Sequence, residues 1–177
     1  MANPIFITES GDGDADSTSY VTLIFADAYA DTFFSLADYT AWALLTDAVK
    51  ERFLNQGTMY VNNNYQFEGE ISVSTQALQF PRNYAYNCLS ELITGVPTEI
   101  EQATVLALKK LMNEVELQPD LDRGGAIKSE RVDVIAISYF QGASSYTKFV
   151  EIERLLSNAC YVLGNKNSNA NITLIQA

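Results

Sequence analysis

Histidine is absent from the 177-residue sequence, and bases are scarce: eleven Lys and Arg face twenty-two Asp and Glu, a net charge of −11. Without His there is no Ser/His/Asp triad, no Cys/His dyad and no His-ligated metal. The side chain that usually titrates near neutral pH is missing as well. Cys88 and Cys160 are the only two cysteines. They cannot build a zinc knuckle or a CxxC pair, and they read as two buried, reduced thiols in a reducing compartment. Apolar runs such as Val134–Ile137 are too short to span a bilayer. No basic and apolar leader of the secretory kind is visible at the N-terminus. The GxxxxGK[ST], GxGxxG and GxSxG motifs are all missing. The expectation is a protein that is not an enzyme and takes no metal or cofactor.

What is present is a chain able to bury a core. Hydrophobic residues make up 47% of it, and its length argues for one domain with possible arms. The acidity is uneven. Residues 1–49 hold eight acids (Glu9, Asp12, Asp14, Asp16, Asp27, Asp31, Asp38 and Asp47) and no base, so −8 of the −11 lies there. Such a surface repels phosphate backbones, because non-specific nucleic-acid affinity comes from Lys and Arg releasing counterions. A stable grip on DNA and attachment to an anionic membrane are both disfavoured.

The pattern along the chain is mainly α. Residues 1–18 form an acidic arm or loop with no helical period. Asp12, Asp14 and Asp16 fail as an EF-hand loop, since Ser17 and Leu23 stand where Gly and Glu are needed. Thr22 is placed to cap a helix running to about Phe34, Ser35 with Asp38 a short one, and Thr46 a longer one ending at Asn62–Asn64. Val49, Phe53, Leu54, Gly57, Tyr60 and Val61 give that third helix its core stripe. Residues 65–97 are irregular, with extended pieces expected at Ile71–Val73 and Leu78–Phe80. Thr98 and Glu101 read as a capping box for a helix apolar on most sides, hence central or packed on a second subunit.

A β-hairpin is expected near residues 126–140, where the pattern switches to period two. Thr147 would cap a last helix, with Phe149, Ile152, Leu155, Leu156 and Cys160 inward and Gly164 as its stop. Residues 165–177 form a tail that turns β-like at Ile172–Ile175. The resulting outline is an acidic arm over 1–18, a helical domain over 19–164 with its hairpin, and the tail.

Few constellations suggest chemistry. Glu68 and Glu70 read as solvated loop charges rather than a glycosidase pair. Lys109 and Lys110 read as the solvent edge of the central helix, with Glu114 as an i, i+4 partner. Trp42 reads as a core anchor. Tyr84 and Tyr86 have only Arg82 nearby, far short of the basic–aromatic groove of single-strand binders.

Three stretches nevertheless form a pattern. They are Ser19-Tyr20-Val21-Thr22, then Gln76-Ala77-Leu78-Gln79-Phe80-Pro81-Arg82, then Asp122-Arg123-Gly124-Gly125-Ala126-Ile127-Lys128-Ser129-Glu130-Arg131-Val132 before a strand ending at Tyr139. Together they resemble the head–tail connector (adaptor) proteins of tailed phages, many of which carry the label "DnaT-like single-stranded DNA-binding protein". The resemblance covers roughly residues 19–160. Departures are Asp133 where Gly is common, Phe80 where Trp is common, and Phe25 where an acid is common.

The resemblance implies a helical bundle with an inserted hairpin or extended loop and extended terminal arms. It implies a structural virion protein at the neck, assembled in the host cytoplasm. Such a protein forms a ring with itself, commonly dodecameric, beneath the portal protein. The ring joins the portal to the next tail or neck component and lets double-stranded DNA pass without holding it. Val134, Ile135, Ile137, Tyr139, Ile172, Leu174 and Ile175 are the candidate partner interface, as strands able to join a neighbour's sheet edge. Asp12, Asp14, Asp16, Asp27 and Asp31 are the candidate lumen or solvated acidic surface. The alternative is a DnaT-like single-stranded DNA-binding protein.

Overall fold

The computed structural model describes residues 5–117, 129–132, 135–138 and 149–166. Five helices dominate the described residues: α1 (Leu23–Phe33), α2 (Leu36–Ala43), α3 (Asp47–Asn64), α4 (Thr98–Met112) and α5 (Val150–Ser157). Six short strands join them: β1 (Tyr65–Phe67), β2 (Glu70–Ile71), β3 (Arg82–Asn83), β4 (Ser129–Val132), β5 (Ile135–Ser138) and β6 (Val162–Asn165). They pair into three two-stranded antiparallel sheets, β1 with β6, β2 with β3 and β4 with β5. The chain is mainly α.

Local signals set the first helices. Thr22 accepts from the Phe25 N–H, and Ser35 accepts from the Asp38 N–H while its hydroxyl donates to the Asp38 carboxylate. Thr46 occupies the cap position of α3 without a side-chain bond. The helix at 98–112 starts one residue earlier than the capping-box reading. Pro97 itself is the cap residue, and Thr98 lies one position too late to serve.

Helices α3 and α4 are the central pair. Leu54, Gly57, Tyr60 and Val61 of α3 are buried, as are Ile100, Ala103, Thr104, Val105, Ala107 and Leu108 of α4. Burial on most of its circumference makes α4 the interior helix its composition called for. The two backbones meet at Gly57, where an added Cβ would lie 2.7 Å from the Thr104 carbonyl oxygen. Helix α5 packs on α4 through Ile152 and Leu156, and Phe149 reaches the Tyr60 ring.

Three expectations are corrected. Gly164 is not a helix stop: α5 ends at Ser157, and Gly164 sits in β6 opposite Gln66 with φ +135°, a backbone only glycine adopts readily. The extended piece expected at Leu78–Phe80 is a loop, and the strand falls at Arg82–Asn83. Cys88 and Cys160 are neither buried nor free: both residues are exposed, and a disulfide joins them. Their 72-residue separation hid a Cα–Cα distance of 5.2 Å.

Residues 5–19 close into a loop. Thr8 bridges Ser19, and the Ile7 carbonyl accepts from the Thr18 N–H. Thr147 lies outside the described residues.

Candidate functional site

The first two stretches of the pattern meet inside the molecule. Tyr20 is fully buried, and its hydroxyl donates to Asn62 Oδ1 at 2.7 Å. The Gln79 N–H reaches the same two oxygens, at 3.0 Å from the Tyr20 hydroxyl and 2.8 Å from Asn62 Oδ1. Gln76 holds the turn: its amide NH2 donates to the Leu78 and Pro81 carbonyls, and its oxygen accepts from the Val73 N–H. Phe80 is fully buried between Tyr20, Phe67 and Tyr161, whose ring centroids lie 4.9–6.4 Å away. Burial pushes the hydroxyls of Tyr20 and Tyr161 far above the ordinary tyrosine range.

Arg82, the basic end of that stretch, faces inward. Its Nε donates to the Glu68 carbonyl at 2.7 Å and its Nη2 to the Gly69 carbonyl at 2.6 Å. Its Nη1 donates to the Gln79 backbone and side-chain oxygens at 3.2 and 2.9 Å. A guanidinium held this way closes a loop and spends four of its five N–H donors on protein oxygens.

Among the described residues Lys50, Lys109, Lys110 and Lys166 are engaged as well. Lys50 is buried, 2.8 Å from Asp27 Oδ1 and 4.5 Å above the Trp42 ring, while the Trp42 indole N–H donates to the same Asp27 oxygen. Lys110 pairs with Glu151 at 2.6 Å, and Lys109 lies 3.8 Å from both Asp38 and Glu151. The partners of Lys109 and Lys110 therefore come from α2 and α5 and not from Glu114. Lys166 donates to the Asn62 carbonyl. Arg52 and Arg154 are exposed.

This network titrates in a defined direction. The Lys110 hydrogen bond holds the Glu151 carboxyl below its ordinary value of 4.5. Bonds from Ser35 and Asn113, helped by Lys109, hold Asp38 below 3.8. Both groups bind fewer protons folded than unfolded, so their stabilisation is complete above those values and is lost as pH falls through them. The Glu151 side chain is 49% exposed, so its pair contributes under about 1 kcal/mol. Burial moves Glu101 the other way, upward, and its contribution is lost as pH rises. In thermal melts, Glu151→Gln is expected to flatten the acid limb between about pH 5 and 3, and Glu101→Gln is expected to raise the melting temperature at neutral pH. An acid limb unchanged by Glu151→Gln would place the titrating groups elsewhere.

The candidate acids separate into two sets. Asp12, Asp16 and Asp31 are exposed, and Asp14 is half-buried, accepting from the Ser10 N–H and held below its ordinary value by Ser10. Asp27 faces Lys50 and Trp42. Glu9, absent from the sequence-derived candidates, is buried and accepts from the N–H groups of Gly11, Gly13 and Asp14 and from the Ser17 hydroxyl. Among the described residues no group of three or more acids and cysteines is placed to hold a metal ion.

Of the candidate interface, Ile135 and Ile137 lie in β5, paired with Val132 and Glu130 of β4. Val134, Tyr139, Ile172, Leu174 and Ile175 lie outside the described residues. Among the described residues no helix is long and apolar enough to cross a membrane. The sequence marks Asn62 only as a helix end and does not single out Lys50.

A family model described as "Putative DnaT-like ssDNA binding protein" matches residues 5–176, nearly the whole chain. The chain belongs to that family. No curated protein and no solved structure matches it. The description of the DnaT-like family names single-stranded DNA and says nothing of a virion. In this member the Ser19–Thr22 and Gln76–Arg82 stretches meet through the buried Tyr20 and Phe80.

Proposed function

We propose that this DnaT-like family member is a non-catalytic assembly subunit of the head–tail connector type. In this reading it is a helical-bundle protein that forms a ring with itself, commonly dodecameric, beneath a portal protein. It joins the portal to the next neck component, assembles in the host cytoplasm, and lets double-stranded DNA pass. One observation carries the reading: the disposition of the bases. Among the residues whose side chains are described, Lys50, Lys109 and Lys110 are ion-paired, Arg82 and Lys166 donate to carbonyls, and Arg52 and Arg154 are exposed. Arg123, Lys128, Arg131 and Lys148 lie outside that set. Against them stand exposed acids such as Asp12, Asp16 and Asp31. A surface of this kind releases few counterions and suits a conduit better than a clamp. Exposed Ile24, Phe33, Leu36 and Leu44 on and beside α1 and α2 add apolar surface of the sort a subunit contact covers.

The second reading, a single-stranded DNA-binding protein, is favoured by the family's description. Tyr84 and Tyr86 are exposed and could stack on bases. One pair of measurements separates the two. The purified chain, alone and mixed with the portal protein of the same genome, is imaged by negative stain and sized by light scattering. Labelled single-stranded DNA is titrated at physiological and doubled salt. Rings or a portal complex, with no saturable DNA shift, are expected. A monomer that ignores the portal yet binds DNA with steep salt dependence would overturn the connector reading.

A further inference from the structure

The Cys88–Cys160 bridge joins a surface loop to a core element. On one side, residues 84–93 form a loop whose Tyr86 bridges Leu92 and whose Ile93 N–H donates to the Ala85 carbonyl. The Asn87 side chain accepts from the Leu89 and Glu91 N–H groups and donates to the Glu91 carboxylate. The hydrogen bonds of Asn87, Leu89, Ser90 and Glu91 thus close within the loop. Tyr84 and Ser90 take positive φ values of 60° and 62°, a conformation costly for residues with a Cβ. The loop also holds Leu89 78% and Tyr84 66% exposed, with Tyr86 and Leu92 beside them. On the other side, Cys160 precedes Tyr161, which is buried against Phe80 and donates to Glu99. One sulfur sits beside the buried Tyr161, the other on the self-bonded tip of a strained loop that Ala85 and Ile93 seat on the core, and both cysteines are exposed to solvent.

We propose that Cys88 and Cys160 form a redox-set clasp: a low-molecular-weight disulfide such as oxidised glutathione closes it and fixes loop 84–93, and a thiol reductant opens it and frees that loop while the domain stays folded. Closure proceeds by two exchanges. The thiolate of one cysteine attacks a glutathione sulfur and expels one glutathione thiolate, leaving a mixed disulfide. The second cysteine thiolate attacks the protein sulfur of that disulfide and expels the other glutathione. Two electrons pass from the cysteine sulfurs to glutathione disulfide, and the two cysteine protons end on two glutathione thiols. A loop freed this way gains the conformational freedom that the cross-link removed. The proposal does not depend on which reading of the overall function holds.

The test uses the full chain. Protein equilibrated in glutathione buffers of graded ratio is trapped by alkylation and weighed, then digested with chymotrypsin, which cuts after exposed Tyr and Leu. Oxidised protein is expected to lack two alkyl groups, and reduced protein to be cut within 84–93 about tenfold faster, with its cooperative melt retained. Cys88→Ser and, independently, Cys160→Ser are expected to show the fast cleavage with or without reductant. Equal cleavage rates in the two states would overturn the proposal, as would thiols that stay alkylatable in oxidised glutathione. Loss of the cooperative melt on reduction of the wild-type chain would overturn it too, since the bridge would then be a staple of the whole domain.

Discussion

Gly57→Ala is expected to destabilise the protein by about 1–3 kcal/mol, and Gly57→Val by more. Helix propensity alone predicts the reverse, because Gly in a helix interior costs about 1 kcal/mol relative to Ala. The neighbouring helix decides the sign. A Cβ at Gly57 would lie 2.7 Å from the Thr104 carbonyl oxygen and 3.4 Å from the Leu108 nitrogen. Both are backbone atoms of α4 and cannot rotate aside. The central pair of helices would have to separate, loosening Leu54, Val61, Ala103 and Ala107, all fully buried. For a domain of this size each 1 kcal/mol lowers the melting temperature by about 2–4 °C, so urea and thermal melts both resolve the effect. A Gly57→Ala protein as stable as wild type would show that α3 and α4 can slide apart freely.

Arg82→Ala is expected to cost about 3–5 kcal/mol, since charged hydrogen bonds contribute about 1.5–3 kcal/mol each and do not add in full. The variant strips donors from the Glu68, Gly69 and Gln79 carbonyls at once. Arg82→Lys is expected to recover little, because an ammonium on a flexible stem cannot span the carbonyls that the planar guanidinium reaches. Melting curves of the three proteins check this, and a Lys variant matching wild type would show that charge alone suffices. The same variants bear on function. Were Arg82 a phosphate ligand, Arg82→Lys would keep both fold and DNA affinity. With its guanidinium turned inward, DNA affinity should follow folding only.

Features readable from the sequence were those written within one helical turn. Thr22 and Ser35 cap as their spacing required, and α4 is interior as its apolar circumference required. Contacts between distant segments left no local trace. Tyr65–Phe67 and Val162–Asn165 are too short to show a strand period, and each pairs with a segment about a hundred residues away. Gly164 was ambiguous because glycine marks helix ends and bent strands alike. The partners of Lys109, Lys110 and Lys50 sit on other elements, which i, i+4 spacing cannot reveal. The first two pattern stretches carry many converging bonds, and the sequence does not distinguish that from ligand binding; most of the third, Asp122–Lys128, lies outside the described residues.

The pairing of β1 with β6 also sets an order of events at the ribosome. The Tyr65–Phe67 strand is synthesised first, and its partner, ending at Asn165, follows about a hundred residues later. Until then β1 shows an open edge, and Phe80 lacks the Tyr161 face of its aromatic cluster. Non-local closure of this kind slows folding. A nascent chain therefore cannot complete its core, or present the finished surface of that core to a neighbour, before β6 is free.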